Sequence, residues 1–220
     1  MYKQFNFLTL VLIGFGTTFF GCNKNNDPVP AFSNGTMQVT TTSSASNVTG
    51  ATITEFRVNL EAVRFRTIAN DPLLPDNTFQ IAPLLGPFDL LLLGEGTGDN
   101  IPEAPLPDAT YDRIKFDLVR GKAAPMDKIT ILIKGTIGTT PFEMWHDTEP
   151  GLQANLNDLV VNGNALSFGI DFVLDGLDLS AATDGDGNGI IEISPNDNDG
   201  NNNLADDVAI YIEKNFKVTY

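Results

Sequence analysis

The chain has 220 residues, enough for one domain of ordinary size, and 42% of them are hydrophobic. Its 28 Asp and Glu residues outnumber its 13 Lys and Arg residues, which gives a formal net charge of −15 at pH 7. A surface this acidic repels nucleic acid phosphates and anionic lipid head groups, so the composition argues against both as partners and favours cations.

Residues 1–21 have the pattern of an export signal, because Lys3 supplies a positive start and an apolar run follows from Phe5 to Phe20. Cys22, the single cysteine, comes directly after this run and resembles the processing site of a bacterial lipoprotein. The resemblance implies cleavage before Cys22 and lipidation of its thiol; a cysteine placed there by chance is the alternative. We therefore expect an exported protein, anchored by lipid at the outer membrane or cell surface, with residues 22–34 as a polar, proline-bearing tether.

From residue 35 to residue 182, apolar and polar residues alternate with the period of a β-strand in six runs: Met37–Thr41, Phe56–Phe65, Ile114–Leu118, Ile129–Ile133, Thr139–Met144 and Phe168–Leu174. A change of phase near Ala62 predicts a β-bulge, and Asn162-Gly163-Asn164 predicts a hairpin turn. The pattern favours a mainly β fold, an antiparallel β-sandwich of the immunoglobulin-like or prealbumin-like kind. A single closed sheet is the alternative.

Residues 183–203, called the acidic loop below, are rich in Asp, Asn and Gly. Between Asp171 and Glu213 the chain has eleven carboxylates and neither Lys nor Arg. Oxygen ligands on a tight loop suit Ca²⁺, and the candidate ligands are side chains and one backbone carbonyl: Asp184, Asp186, Asn188, Ile190 (carbonyl), Glu192, Asp197 and Asp199. The alternative is a loop without an ion, since Asp, Asn and Gly also favour turns and cap their own amides.

The start of this loop resembles the calcium loops of EF-hands, dockerins and thrombospondin type 3 repeats over about a dozen residues. It departs from the EF-hand at Pro195, which stands where that loop has its bidentate Glu. A structural calcium ion is therefore the expected cofactor.

Residues 204–220 follow, and apolar residues at helical spacing predict an α-helix from Leu204 to Phe216, capped by Asn202 and Asn203 and packed on the sandwich. Asp206 and Asp207 would lie in its first turn, and Lys214 and Lys217 in its last.

A wider resemblance rests on the segments GTMQVTTT, ITEFRVNLEAVRF, FDLLLL, LPDATYDRIKFDLV, FGIDFVLDGLDL and LADDVAIYIEKNF. They are similar to segments of an uncharacterised family of secreted bacterial β-sandwich lipoproteins of the Bacteroidetes type. Ala109 stands where that family often has Gly. The resemblance implies a location and a fold, and it carries over no catalytic residue.

The residues favour a non-enzymatic protein that serves adhesion or the capture of a glycan or protein ligand. Trp145, with Tyr111 nearby, is a candidate aromatic platform for a sugar ring, although a Trp that packs in the core is the alternative. His146 is the sole histidine, so zinc catalysis lacks ligands, and no serine has a nucleophile-elbow pattern. A structural spacer of the envelope and a glycoside hydrolase based on two carboxylates are the other hypotheses.

Overall fold

The computed structural model describes residues 34–69, 79 and 81–220. These residues form strands and one helix: β1 (Asn34–Ser44), β2 (Ala51–Thr67), β3 (Ile81–Leu93), β4 (Ala104–Pro107), β5 (Ala109–Leu118), β6 (Ile131–Ile137), β7 (Thr140–His146), β8 (Gly151–Val161), β9 (Ala165–Val173), β10 (Ile191–Ile193), α1 (Asn202–Lys214) and β11 (Phe216–Thr219). The predicted signal, Cys22 and the tether up to residue 33 lie outside the described residues. The chain is mainly β, as the alternation predicted.

The smaller of two open sheets has the strand order β11-β9-β1-β4. In β1 the residues Gly35, Met37 and Val39 are buried while their neighbours are exposed, so one face of the strand supplies apolar residues to the core. β9 alternates in the same way, with Phe168, Ile170 and Phe172 inward.

The larger sheet is organised around the long strand β2. One edge of β2 pairs with β3, and its other edge pairs first with β6, over Ala51–Val58, and then with β5, over Leu60–Thr67. β7 and β10 continue the sheet beyond β6, and β8 continues it beyond β5. The pairing of β2 shifts register between Leu60 and Ala62 with both of its partners there, which confirms the predicted bulge.

Aromatic side chains from the two sheets meet in one hydrophobic core. The ring of Phe56 on β2 meets that of Phe172 on β9 at 6.0 Å between centroids, edge to face, and Phe65 meets Phe168 at 5.4 Å. These residues are between 0 and 1% exposed, so the contacts bind the sheets through full burial of large apolar surfaces.

Two pairings depart from the antiparallel arrangement that the sequence predicted. β1 pairs with β9, and β7 pairs with β10, in parallel orientation. The predicted hairpin at Asn162-Gly163-Asn164 is wrong, because the turn is present but the strands on either side of it do not pair with each other. β8 pairs with β5, and β9 pairs with β1 and β11. This turn therefore carries the chain from one sheet to the other.

The C-terminal helix is present but shifted by two residues from its predicted range. α1 ends at Lys214, and Asn215 caps it by donating its backbone N–H to the carbonyls of Tyr211 and Ile212. Phe216 and Lys217 belong to β11, which adds antiparallel to β9 and places the Phe216 ring 6.4 Å from that of Phe116. Pairing with the edge of β9 and packing of Phe216 against the core stabilise this segment more than a further turn of helix would.

The N-terminal end of α1 also differs from the prediction. Its N-cap is Asn201, whose side chain makes no capping hydrogen bond, and its first turn contains no acidic residue. Asp206 and Asp207 lie one turn later, beyond the reach of the first free N–H groups. The buried face of the helix is formed by Ala205, Val208, Ala209 and Ile212.

Candidate metal site in the acidic loop

The acidic loop lies on the path by which the chain leaves the smaller sheet and returns to it. β9 belongs to that sheet, β10 within the loop joins the larger sheet beside β7, and β11 beyond α1 pairs again with β9. Ile191 and Ile193 of β10 are buried, which anchors the middle of the loop in the core.

Asp184 organises the first turn of the loop through its carboxylate. Its Oδ1 accepts hydrogen bonds from the N–H groups of Gly187 at 2.8 Å and Asn188 at 3.1 Å, and its Oδ2 accepts from Gly189 at 2.9 Å. Gly187 and Gly189 have φ of +75° and +90°, a region in which residues with a Cβ are strained. The alternation of Asp and Gly thus allows the backbone to wrap around one carboxylate.

Asp199 closes this turn from the other end of the loop and is only 7% exposed. Its Oδ2 accepts from the N–H of Glu192 at 2.7 Å, and its Oδ1 accepts from Gly185 at 3.0 Å and Asp186 at 3.1 Å. The N–H of Glu192, then that of Asp186, lower the pKa of the Asp199 carboxyl below its usual value, and they outweigh the opposing effect of burial. Asp199 is therefore a charged group at neutral pH, held in place by three backbone donors.

Three carboxylates converge where the two ends of the loop meet. Asp184, Asp186 and Asp199 each offer one oxygen, and these oxygens lie within 4.8 Å of one another. Because Ca²⁺ binds oxygen at about 2.4 Å, two of its ligands can be as much as about 4.8 Å apart, so one calcium ion fits this spacing. The residues present are of the hard, charged oxygen type that Ca²⁺ prefers.

The other predicted ligands have different places. Asn188 lies on the same turn, donating its side-chain N–H to Asp186 Oδ2 at 3.1 Å and accepting at Oδ1 from the N–H of Ile190 at 2.8 Å. Glu192 contributes its backbone N–H to Asp199, and its carboxylate is not part of the group of three. Asp197 caps a second turn instead, since its carboxylate accepts from the N–H groups of Ser194, Gly200 and Asn201.

Asn201 is a structural residue of this site that the sequence did not single out. It is 6% exposed, and its side-chain nitrogen donates to the carbonyls of Thr183 at 2.9 Å and Glu192 at 2.7 Å. Its Oδ1 accepts from the N–H of Thr183 at 3.2 Å. One amide thus joins the start of the loop, β10 and the start of α1. The only signal in the sequence is its position beside Asn202 and Asn203, the two residues predicted to cap the helix.

Trp145 and Tyr111 lie on opposite faces of the larger sheet. Trp145 is half-buried on β7, where it lies opposite Leu132 of β6 on the face away from the shared core. Tyr111 is fully buried in that core, stacks edge to face with Phe65 and donates its hydroxyl to the carbonyl of Pro107 at 2.7 Å. The expectation that Tyr111 extends an aromatic platform around Trp145 is therefore wrong.

His146 links β7 to the helix and is 3% exposed. Its Nδ1 accepts from the N–H of Thr148 at 3.0 Å, so Nε2 carries the proton and donates to Asp206 Oδ1 at 3.0 Å. Both ring nitrogens are thus used in joining Asp206 to the end of β7.

The chain matches no protein family, no curated protein and no solved structure with which it was compared. The similarity to secreted lipoproteins therefore stays a prediction. The part of the chain that the structure describes contains no helix of the length and hydropathy needed to cross a membrane.

Proposed function

We propose that this protein is a non-enzymatic capture or adhesion domain of the cell envelope, with a structural calcium ion in its acidic loop and a lipid anchor at Cys22. We also infer that its two sheets form a β-sandwich of the immunoglobulin-like or prealbumin-like kind, since they share one aromatic core. The observation that carries the calcium assignment is the convergence of Asp184, Asp186 and Asp199.

An ion at this point would act on the folding of the chain rather than on a substrate. Three like charges within 4.8 Å repel one another, while backbone N–H groups point at the carboxylates of Asp184 and Asp199. A divalent cation neutralises the group and joins Asp184 and Asp186, near the start of the loop, to Asp199, near the start of α1. The crossover between the sheets is thereby held closed.

Calorimetric titration of the signal-free chain with CaCl₂ tests this assignment. We expect a saturable binding heat that is absent in Asp184→Ala/Asp186→Ala and retained in Asp207→Ala, an acidic residue on α1 outside the group. If the wild-type protein gives no heat at millimolar calcium, the loop is an ion-free turn and the calcium part of the proposal is wrong.

The lipid anchor is tested separately through Cys22. Expressed with its own leader in a bacterium that processes lipoproteins, the protein should incorporate labelled fatty acid and fractionate with membranes. Cys22→Ser should lose both the label and the membrane association. Equal labelling of the two proteins would contradict the anchor without affecting the calcium assignment.

The capture function is supported by the half-buried Trp145 on the outward face of the larger sheet, since indole rings bind the apolar faces of sugars. A glycan array with the wild-type protein and Trp145→Ala tests it. Binding that is lost in a folded variant supports the platform. If Trp145→Ala no longer folds, Trp145 is a packing residue and the platform is wrong.

A further inference from the structure

A second feature of the same outward face bears on which ligand is captured, and it rests on the proposed function. We propose that the cleft beside Arg57, Asp89 and Asp99 binds an uncharged, hydroxyl-rich ligand such as a segment of a neutral polysaccharide. This cleft, called the outer cleft below, has a volume of about 430 Å³, and Thr97, Gly98, Ala124 and Pro125 complete its walls.

The cleft is built on polar residues of β2 that are buried away from the shared core. Phe56, Val58 and Leu60 point into that core, so Arg57 and Asn59 between them point outward, yet they are only 6% and 2% exposed. Residues 94–101 and 119–130 cover them, as shown by the hydrogen bond from Arg57 Nη1 to the carbonyl of Thr97 at 3.2 Å and that from Asn59 Nδ2 to the carbonyl of Ile129 at 3.3 Å. Loops held over buried polar groups form the walls of a recess.

The outer cleft has more negatively charged than positively charged side chains around it. The single guanidinium of Arg57 donates to Glu55 through Nε at 2.6 Å and to Asp89 Oδ2 through Nη1 at 3.0 Å. Asp99 adds a third carboxylate and accepts the N–H of Asp89 at 2.8 Å. Three anions thus lie around Arg57, and Lys122 borders the cavity next to them, so negative charge exceeds positive charge by one and disfavours phosphate, sulfate and carboxylate ligands.

The acceptors that matter for the choice of ligand are the carboxylate oxygens of Asp89 and Asp99. Asp89 Oδ1 is enclosed, and no described residue donates a hydrogen bond to it. Because this oxygen is enclosed, a ligand in the cleft meets the exposed carboxylate of Asp99 first, which accepts the N–H of Asp89 at Oδ2 and has further lone pairs for a ligand hydroxyl. Asp89 and Asp99 also border an adjoining cavity of about 170 Å³, together with Asn59 and Lys122. The chemistry of this cleft therefore matches a ligand that presents several O–H groups and no negative charge.

Trp145 lies in register with this cleft. Arg57 is opposite Leu132 on β6, and Leu132 is opposite Trp145 on β7, so the three share one row on one face of the sheet. With neighbouring strands about 4.8 Å apart, Trp145 lies roughly 10 Å from the β2 position of Arg57. It is also the only tryptophan of the chain, so its fluorescence reports on this face alone.

The test uses two sets of defined oligosaccharides of equal length: neutral glucans, mannans and galactans, and the corresponding anionic glucuronates, mannuronates and galacturonates. Each is added to the folded, signal-free chain while Trp145 fluorescence and binding heat are recorded. We expect saturable binding by at least one neutral sugar and none by its anionic counterpart. Asp99→Ala, at an exposed position, should weaken that binding at least tenfold, while Asp207→Ala should not change it.

Each contrary outcome has a separate meaning. No binding by any neutral sugar at 10 mM overturns both the cleft and the glycan-capture function. Binding that requires Trp145 but is unchanged in Asp99→Ala overturns the cleft and leaves the function standing. Anionic sugars that bind as well as neutral ones overturn the charge argument. A melting curve for each variant shows whether a loss comes from the cleft or from unfolding.

Discussion

Removal of one charge from the acidic loop should halve the thermal response of the protein to calcium. Asp186→Asn is the most informative variant, because Asp186 is exposed and Asn keeps the size of the side chain and one oxygen acceptor. Calcium sites of extracellular modules have dissociation constants of about 0.1 to 1 mM. At 10 mM calcium and a constant of about 0.1 mM, the ion stabilises the wild-type fold by about 2.7 kcal/mol.

This free energy converts into a measurable shift of the melting temperature. For a domain of 150–250 residues, 1 kcal/mol corresponds to about 2–4 °C, so we expect the wild-type protein to melt about 5–11 °C higher in calcium than in chelator. If the loss of one carboxylate weakens binding tenfold, the stabilisation falls to about 1.4 kcal/mol and the shift to about 3–6 °C.

The assay is a calorimetric melt of both proteins in 10 mM CaCl₂ and in EDTA, with Asp207→Asn as a control of equal charge. In EDTA, Asp186→Asn should melt no lower than the wild-type protein, because the substitution relieves repulsion within the group of three carboxylates. Equal calcium shifts in all three proteins would show that the ion binds elsewhere. The absence of any shift in the wild-type protein would refute the reasoning altogether.

Three other predictions concern the frame of the site. Asn201→Ala should lower the free energy of unfolding by about 1–3 kcal/mol in urea titrations, since it removes a buried side chain and its hydrogen bonds to the backbone of Thr183 and Glu192, whereas the exposed Asn203→Ala should change it by less than about 0.5 kcal/mol. Phe216→Ala should cost about 1–3 kcal/mol through loss of its contact with the core, and Lys217→Ala on the same strand much less. Because the pKa of Asp199 is lowered in the folded state, its contribution is complete above the unfolded value near 3.8 and is lost as the pH falls through the lower folded value. The urea midpoint should therefore fall less between pH 5 and pH 3 in Asp199→Asn than in the wild-type protein.

Strands with one face in the core could be predicted from the sequence, and strands without a regular alternation could not. β1 alternates from Asn34 to Thr40 and β9 from Ser167 to Val173, because each has one buried face there. β8 was missed because Asn157 and Asp158 take left-handed conformations, with φ of +46° and +58°, and break its alternation. The short strands β4, β10 and β11 contain too few residues to show a period.

The first half of the acidic loop could be predicted because its ligands are local. Asp184 and Asp186 share one turn, and their spacing alone brings them together. The choice of Asp199 over Asp197 as the distant carboxylate depends on how the loop returns from β10, which no local pattern records. The role of Asn201 depends on the same return, since its partners lie 18 and 9 residues earlier in the chain.

The place of the acidic loop in the topology explains why a metal there would affect the whole domain. β10 and β11 are short strands of three and four residues, so pairing alone holds each of them weakly in its sheet. Both strands lie after Asp184 and Asp186 in the chain, with the helix between them. β10 must reach the larger sheet and β11 the smaller one. An ion bound by Asp184, Asp186 and Asp199 would fix the segment that enters β10 relative to the start of α1. It thereby shortens the free chain that must be ordered when the two sheets are joined, and loop closure becomes less costly. For this reason we expect the ion to stabilise the cooperative unfolding unit and not merely the loop that binds it.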